Sequence, residues 1–415
     1  MLLGELKNGL KYYIYRNNSI DKMKFILLNK VGSVDDGINK NGLAHLNEHM
    51  CLSPDLSFID DIDSNYSNLA NTKKYRFSGY TDFDKTVLKI YRRNENGNLN
   101  NDLHIIKNII SGEALREEVL GKVKNDIISE CKYYKNKNGL QKKIINFITD
   151  GTVKDLPMGT PELIQKITMN DLTKFHNKNY TYEKSAIVVI GNEDVNELER
   201  MTIKTFNSEK SVSKPVNMVK KTLQPYSKNE VLVLNDKEKD YDVIKVYYRF
   251  LFDNSTLKKR LIRYFFDRML ENYIQGEFEL KDIDLIDIGC TDKRNINTMD
   301  YFIVIYKINN SIETKEVYIN TINNLIQKKF NENQLNEQVI YLKDILKEIS
   351  CSEDEIATEE LCEEFIKNFF DNEAVILIKD NYNEILTIID EIKLSDINDI
   401  LINILSGYCK IVEIK

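Results

Sequence analysis

Asn41-Gly-Leu-Ala-His45-Leu-Asn-Glu48-His49-Met50 is the stretch around which the rest of the chain is organised. If it is helical, the four-residue spacing places His45 and His49 on one face, and Glu48 lies close to that face because it follows His45 by three positions. Two imidazoles so placed can hold one divalent metal, and a carboxylate beside them can take a proton from water. The stretch therefore predicts a metal site on a helix. The competing interpretation is a surface helix with two solvated histidines.

The same stretch predicts how its helix packs. Gly42 is small and lets the helix lie close to a sheet, while Leu43, Leu46 and Met50 supply an apolar side away from the metal face. The order His-x-x-Glu-His is the inverted form of a zinc-peptidase signature. The motif thus predicts Zn²⁺ as the cofactor and Glu48 as the general base.

A zinc ion held by two histidines needs a third protein ligand and one open position for water. The other two histidines, His104 and His176, lie in no recognisable ligand pattern, and lone histidines are more often ordinary core or surface residues. Glu130 is a better candidate, because it follows apolar positions on a predicted helix and a buried carboxylate is costly unless it is paired or coordinated. The alternatives are that Glu130 points into solvent, or that Glu117 or Glu118 takes its place.

Composition narrows the class of protein. The chain has 415 residues, 42% of them hydrophobic and 30% charged, which is enough for two or three globular domains. A net charge of −7 argues against a nucleic-acid-binding protein, and no apolar run approaches the roughly 18 residues that span a bilayer. Six scattered cysteines without a C-x-x-C pair, and no secretory signal at the start, predict a cytoplasmic protein with reduced thiols.

The order of predicted elements indicates an internal duplication. Strand, strand, helix, strand, helices and strand occur in each half of the chain, and we place the last strand of the second half at residues 374–379. Residues 207–228 are polar, contain two prolines and are the best linker candidate. The predicted fold is α+β, with two homologous α/β-sandwich-like domains at residues 1–206 and 229–415.

Taken together, these segments resemble the insulinase/pitrilysin (M16) family of zinc metallopeptidases, and most closely its short two-domain members of the mitochondrial-processing and bacterial M16B type. The resemblance rests on Lys7-Asn-Gly-Leu10, Gly32-Ser33 with Asp35, Gly42 to Met50, Tyr80-Thr81, Lys85-Thr86-Val87, Ile127-Ile-Ser-Glu130, Gly159-Thr-Pro-Glu162, Ile167-Thr168, Asp171-Leu172, Phe175, Tyr180 and Ile187-Val-Val-Ile-Gly191. It covers most of the first half of the chain. The second half is similar mainly in element order and length.

The resemblance implies roles for particular residues. By carry-over, His45, His49 and Glu130 are the zinc ligands and Glu48 is the general base. A second Glu that many members carry before the ligand Glu is replaced here by Val123, and the family's Asn-Ala is replaced by Ser78-Gly79.

The second half departs further from the family. Self-sufficient members carry an Arg and a Tyr there that bind the substrate carbonyl and its oxyanion, whereas Lys281 and Asp287 are the nearest occupants in this chain. A carboxylate repels a developing oxyanion. We therefore expect a heterodimer in which a homologous M16-type subunit supplies the Arg/Tyr pair.

The expected function is zinc-dependent endopeptidase activity on short or unfolded peptides in a closed chamber, with the peptide added to an edge strand within residues 77–91. Removal of leader segments from ribosomally synthesised peptides is one such role, and general peptide turnover is another. The alternative is a non-catalytic peptide-binding or scaffold subunit of an M16-type heterodimer.

Overall fold

A computed structural model of the chain describes all residues except 19, 21, 54–74, 94–97, 208–223, 237–240, 251–252, 284, 296–297, 308–310 and 352–357. The chain divides into two compact units, and each contains one mixed sheet with helices packed against it. The first unit comprises Met1–Asn138, Asp155–Val219 and Asp354–Asp371, and the second comprises Gly139–Lys154, Lys220–Glu353 and Asn372–Lys415. No helix in the described part of the chain combines the length and the apolar character needed to cross a bilayer.

The first unit is built on a six-stranded sheet. Its strands are β1 (Leu2–Glu5), β2 (Lys11–Arg16), β3 (Lys22–Asn29), β4 (Tyr75–Thr81), β5 (Thr86–Arg93) and β6 (Ser185–Gly191). They lie in the order β1-β2-β6-β3-β5-β4, with β2 and β6 parallel and all other neighbours antiparallel. Among the described strands β4 therefore forms one edge, which agrees with the edge strand predicted within residues 77–91.

Helices that follow the strands cover this sheet. They are α1 (Leu43–Cys51), α2 (Leu99–Ser111), α3 (Glu117–Tyr133), α5 (Pro161–Lys166), α6 (Met169–Asn179) and α7 (Val195–Phe206). Helix α4 (Lys135–Ile148) lies between α3 and α5 in the chain, and from Gly139 onward it belongs to the second unit. The period of two along β3 divides its side chains between the two faces, so that Phe25 and Leu27 join the buried core formed with these helices. Helix α1 packs against β4, α3 and α6, and this places the His-x-x-Glu-His stretch between the edge strand and α3.

A helix from the second half of the chain belongs to the first unit. Helix α11 (Thr358–Asp371) contacts β6, and Lys24 of β3 forms an ion pair of 2.5 Å with Glu359 on it. The Tyr13 hydroxyl donates a hydrogen bond of 2.8 Å to the Asn368 side chain on the same helix. The Lys24 side chain is only 2% exposed, so this pairing offsets the cost of burying its charge.

The second unit repeats the sheet of the first. Its strands are β7 (Glu230–Leu234), β8 (Asp242–Arg249), β9 (Leu285–Asn295), β10 (Thr298–Lys307) and β11 (Cys409–Ile414), and its helices are α8 (Leu257–Glu279), α9 (Ser311–Lys328), α10 (Glu332–Cys351), α12 (Ile378–Glu391) and α13 (Leu394–Leu405). The order β7-β11-β8-β10-β9 matches β2-β6-β3-β5-β4, including the single parallel pair. This confirms the predicted α+β fold with a duplicated unit.

The predicted strand at residues 374–379 is wrong. Helix α12 begins at Ile378, and Ile385 and Ile389 are buried at helical spacing along it. Just before this helix, the Ala374 N–H donates to the Asn254 carbonyl instead of joining a sheet ladder. The last strand of the second sheet is β11, which was not predicted.

The domain boundaries at residues 1–206 and 229–415 stay a prediction, because most of the proposed linker at 207–228 lies outside the described residues. Two segments lie in a different compact unit from the one that these boundaries predict. Residues 139–154 belong to the second unit, and α11 belongs to the first.

Candidate metal centre

Two residues outside α1 fix where this helix begins. Gly42, the residue before it, has φ +94°, and a Cβ there would lie 2.5 Å from Cδ1 of Ile164. The buried carboxylate of Asp36 accepts hydrogen bonds from the backbone N–H groups of Gly42 at 2.7 Å and Ala44 at 2.6 Å. These bonds satisfy two N–H groups that a helix N-terminus leaves without partners. The start of α1 is therefore held in one position relative to Asp36 and to α5, which contains Ile164.

The three predicted zinc ligands come together. Nε2 of His45 and Nε2 of His49 lie 3.8 Å and 3.7 Å from Oε2 of Glu130, and potential ligand atoms of the three residues all lie within 4.8 Å of one another. Four ligands placed tetrahedrally about 2.1 Å from a zinc ion would be about 3.4 Å apart. The observed separations are close to that value, so the geometry of this group fits one zinc ion.

The protonation states of the two histidines also fit a metal. Burial and the neighbouring His49 lower the pKa of His45 to about 3, against an opposing contact with the Met158 carbonyl. Burial lowers the pKa of His49 as well, although Asp126 acts in the other direction. Both imidazoles are therefore neutral near pH 7, and a neutral ring nitrogen is the form that binds a metal. Burial raises the pKa of Glu130, and a bound cation would act in the opposite direction.

Glu48 lies beside the three ligands and is 2% exposed. Its Oε2 accepts a hydrogen bond of 2.7 Å from the Thr81 hydroxyl. Burial raises the pKa of Glu48 to about 8, while the bond from Thr81 lowers it and the charge of Glu130 raises it. A raised carboxyl pKa makes Glu48 a stronger base, and a cation held by the three neighbouring residues would lower that pKa and favour the ionised form that accepts a proton.

Space for the Glu48 carboxylate comes from a glycine on β4. A Cβ on Gly79 would lie 2.9 Å from Oε1 of Glu48 and 2.8 Å from the Val87 carbonyl oxygen. The Ser78-Gly79 departure noted in the sequence therefore lies directly against the predicted general base. Gly79 and Thr81 both belong to the edge strand β4, so the edge strand and the metal centre are adjacent.

The remaining histidines are outside the metal centre. His104 is exposed on α2. His176 of α6 is buried, with Nδ1 3.2 Å from the Asn47 side chain and Nε2 3.2 Å from the Ile110 carbonyl. Burial lowers its pKa to about 4, so the ring is neutral and carries one proton. Both partners are oxygen atoms, so the single N–H of the neutral ring donates to one of them only.

The sequence did not predict the roles of three residues. Asp36 caps α1, Thr81 holds Glu48, and His176 contacts Asn47 in the middle of the motif helix. Thr81 is part of the family resemblance, which assigned no role to it. Asp36 lies eight positions before Ala44, which is too far for a capping pattern read from sequence.

Glu117 and Glu118, the alternative ligands, lie in the first turn of α3. At 1.5 Å per residue, Glu118 is about 18 Å from Glu130 along the helix axis. The replaced position Val123 is buried in the core, and both Lys281 and Asp287 of the second unit are exposed.

Family models match two consecutive parts of the chain. Residues 12–163 match the model described as "Insulinase (Peptidase family M16)", and residues 166–278 match the one described as "Peptidase M16 inactive domain". The first match contains His45, Glu48, His49 and Glu130, and the second contains none of them.

Curated relatives include zinc proteases. The chain is 28% identical over 229 residues to an uncharacterized zinc protease of Rickettsia bellii, and this alignment covers 52% of the chain and 53% of the relative. It is 22% identical to the zinc protease PqqE of Helicobacter pylori, over 50% of the chain and 47% of that protein. The matched region thus spans about half the length of each of these relatives.

Solved structures share the whole fold. The first half of the periplasmic protease PqqL from Escherichia coli matches all of this chain with a TM-score of 0.83 at 15% identity, covering 91% of that structure. Pitrilysin matches with a TM-score of 0.73 at 16% identity, covering 100% of this chain and 44% of that one. With the two family models and the duplicated fold, these likenesses show that the chain belongs to the insulinase-type peptidase family M16.

Proposed function

We propose that this protein is a zinc-dependent endopeptidase that cleaves short or unfolded peptides. The observation that supports this most directly is the convergence of two neutral imidazoles and one carboxylate, with the buried carboxylate of Glu48 beside them. A structural zinc site has four protein ligands, whereas this group offers three and leaves room for water. A base next to such an open position is the arrangement that hydrolysis requires.

The proposed roles follow from the geometry. His45, His49 and Glu130 would hold Zn²⁺, which when bound polarises a peptide carbonyl and lowers the pKa of water toward about 7. Glu48 takes a proton from the attacking water through Oε1, because Thr81 occupies Oε2. The hydroxide adds to the carbonyl carbon, the C–N bond breaks, and Glu48 returns the proton to the leaving amine.

The edge strand gives the peptide a place to bind. Among the described strands β4 has a neighbour on one side only, and its residues Gly79 and Thr81 lie against Glu48. A peptide added as a further strand would present its backbone carbonyls next to the metal centre. Binding through backbone hydrogen bonds requires an extended substrate, which is why we propose short or unfolded peptides.

We propose that the active form is a heterodimer. Residues 278–287 contain neither an Arg nor a Tyr, and Lys281 and Asp287 are the nearest occupants of the region where self-sufficient members of the family carry that pair. A homologous subunit would supply the pair. The cytoplasmic location also stays a prediction.

The second candidate function is a non-catalytic, peptide-binding subunit of such a heterodimer. The replacements at Val123, Ser78 and Asp287 favour it. Intact His45, Glu48 and His49 oppose it, because a subunit without catalytic function has no need to keep a buried, costly carboxylate next to two neutral imidazoles.

Metal analysis and peptide digestion test the proposal and its alternative. The purified chain should contain about one zinc per molecule and should cleave peptides, alone or with the product of the neighbouring gene. Glu48→Gln should keep the zinc and abolish cleavage, and a chelator should abolish cleavage reversibly. Bound zinc with no cleavage in any combination of subunits would instead support the peptide-binding subunit.

Leader-peptide removal is the specific reaction we propose for this endopeptidase. Its test is incubation of the chain and its partner with a precursor peptide encoded nearby, followed by mass spectrometry of the products. A single cut between leader and core supports this role. Cuts spread along the whole precursor support general peptide turnover.

A further inference from the structure

A basic and aromatic patch lies where α3 meets α4. We define it by five residues: Lys132, Tyr133, Tyr134, Lys135 and Lys137, all of them exposed. Tyr133 is 81% exposed, and its ring meets that of Tyr134 edge to face at 4.8 Å. The two rings together give a partner outside the chain an aromatic surface with two hydroxyl groups.

The patch lies one helical turn from the metal centre. Tyr133 is the last residue of α3 and Tyr134 comes directly after it, so the two tyrosines follow Glu130 by three and four positions, about one helical turn. One turn of a helix is about 5.4 Å long. Anything bound at the metal centre and extending toward the C-terminal end of α3 would therefore meet these rings first.

The helix dipole does not explain why all three lysines of the patch occur at these positions. Lys132, in the last turn of α3, is favoured there by the helix dipole, but Lys135 and Lys137 lie in the first turn of α4, where a positive charge is unfavourable. No acidic residue occurs from position 131 through 149, in a chain whose net charge is −7.

The lysines are not neutralised within the described part of the chain. Lys132 and Lys135 form no ion pair there, and Lys137 lies over the Tyr134 ring at 5.9 Å. Glu130 is the acidic residue closest to these lysines in the sequence, and it belongs to the metal centre. The patch thus offers three lysines that form no ion pair with the described residues, close in sequence to the ligand Glu130.

The start of α4 is also connected to the metal centre. The Asn138 amide lies 3.3 Å from the sulfur of Met158, and the Met158 carbonyl contacts the His45 ring. Met158 thus contacts both the residue that follows the patch and a residue that would hold the metal. A fixed position is what a specificity subsite needs.

We infer that this patch selects peptide substrates that carry acidic side chains beside the scissile bond. The lysines supply the complementary charge, and the tyrosines supply hydroxyl donors and ring surface for the side-chain methylenes. A distance of about 5 Å along the helix corresponds to between one and two residues of an extended peptide at about 3.3 Å per residue. The acidic side chain should therefore lie about two residues from the cleaved bond. This inference rests on the proposed function.

Binding to a variant that does not cleave separates specificity from catalysis. In the Glu48→Gln background, fluorescent peptides of equal length would carry Glu, Gln or Lys at the positions two residues either side of the scissile bond. The dissociation constants would be measured by anisotropy for this variant, for the same variant with Lys132, Lys135 and Lys137 changed to Gln, and for a control with Lys11, Lys178 and Lys204 changed to Gln. The control lysines are exposed and lie on β2, α6 and α7 of the same unit.

We expect the Glu peptide to bind about tenfold more tightly than the Gln peptide, because three exposed charge pairs each contribute a few-fold at most. The patch variant should lose this preference and the control variant should keep it. Raising the salt from about 0.05 M to about 0.5 M should weaken the preference as well, since exposed charges are screened. A variant that had merely misfolded would bind all three peptides poorly.

Two results would overturn the inference: equal binding of the Glu and Gln peptides, or a preference for Glu that survives the patch substitutions. Either can occur while the wild-type chain still cleaves peptides, and in that case the proposed peptidase function stands. If no peptide binds or is cleaved with either subunit combination, the proposed function and this inference fail together.

Discussion

The Thr81 hydroxyl and the Glu48 carboxylate form a hydrogen bond of 2.7 Å between an edge strand and the metal-site helix. Glu48 is almost fully buried, and a buried carboxylate oxygen without a hydrogen-bond partner costs free energy. Thr81 provides the partner for Oε2 and leaves Oε1 facing Gly79. The strand that would bind the peptide thus also orients the group that would activate water.

Thr81→Val should therefore impair catalysis more than metal binding. Loss of one orienting hydrogen bond to a buried base should reduce kcat by about tenfold to a hundredfold. Bound zinc, measured by elemental analysis, should stay near the wild-type level, because Thr81 contacts none of the three ligands. Thr81→Ser keeps the hydroxyl and should restore most of the rate. Equal rates for Val and wild type would show that Thr81 does not position Glu48.

Glu130→Gln should reduce the amount of bound zinc, because an amide oxygen is a weaker ligand than a carboxylate. Loss of one ligand from a three-residue set should weaken zinc binding by at least about a hundredfold. Glu117→Gln and Glu118→Gln are matched controls on the same helix and should leave the zinc content unchanged. Competition with a zinc-sensitive dye measures all three. Unchanged affinity in Glu130→Gln would place the third ligand elsewhere.

The sequence predicts the metal group because its signal is local and strongly patterned. His45 and His49 need only a helix to meet, and Glu130 shares a stripe with Val123 and Ile127 at spacings of seven and three. Both apolar members of that stripe are buried and the Glu130 side chain is 33% exposed, whereas the sequence alone also allowed Glu130 to point into solvent. What the sequence leaves open is whether α3 lies beside α1, since that depends on packing between segments far apart in the chain.

The features that the sequence did not predict depend on contacts between residues far apart in the chain. Helix α11 packs on β6 although about 170 residues separate them, and Lys24 pairs with Glu359 from more than 300 positions away. The β-branched run before Ile378 satisfies a strand pattern, but residues 372–377 form no strand and the chain continues into α12. Periodicity describes one segment at a time and carries no information about which segment will be its neighbour.

Buried His176 should make the free energy of unfolding depend on pH in the acid range. Its pKa is lowered from 6.5 to about 4 by burial, so below pH 6.5 the unfolded chain binds a proton that the folded chain does not. The stabilisation is complete above pH 6.5 and is lost as the pH falls toward 4, by an amount on the order of 3 kcal/mol.

Urea denaturation at a series of pH values measures this loss. His176→Gln should be less stable than wild type at pH 7, because it disturbs the contacts with Asn47 and Ile110. The difference between the two proteins should shrink as the pH approaches 4. A constant difference across that range would mean that His176 does not supply the acid sensitivity.

Backbone methylation of the substrate tests the role of β4. If a peptide binds as an added strand, alternate N–H groups point toward β4 and the others point away. N-methylation at one set of alternate positions should raise KM by about tenfold, because it removes a hydrogen bond and adds steric bulk at the strand edge. Methylation one residue along should have little effect, and the unmethylated peptide serves as the reference. Equal KM values for both methylated series would exclude strand addition on β4, whatever the activity of the metal centre.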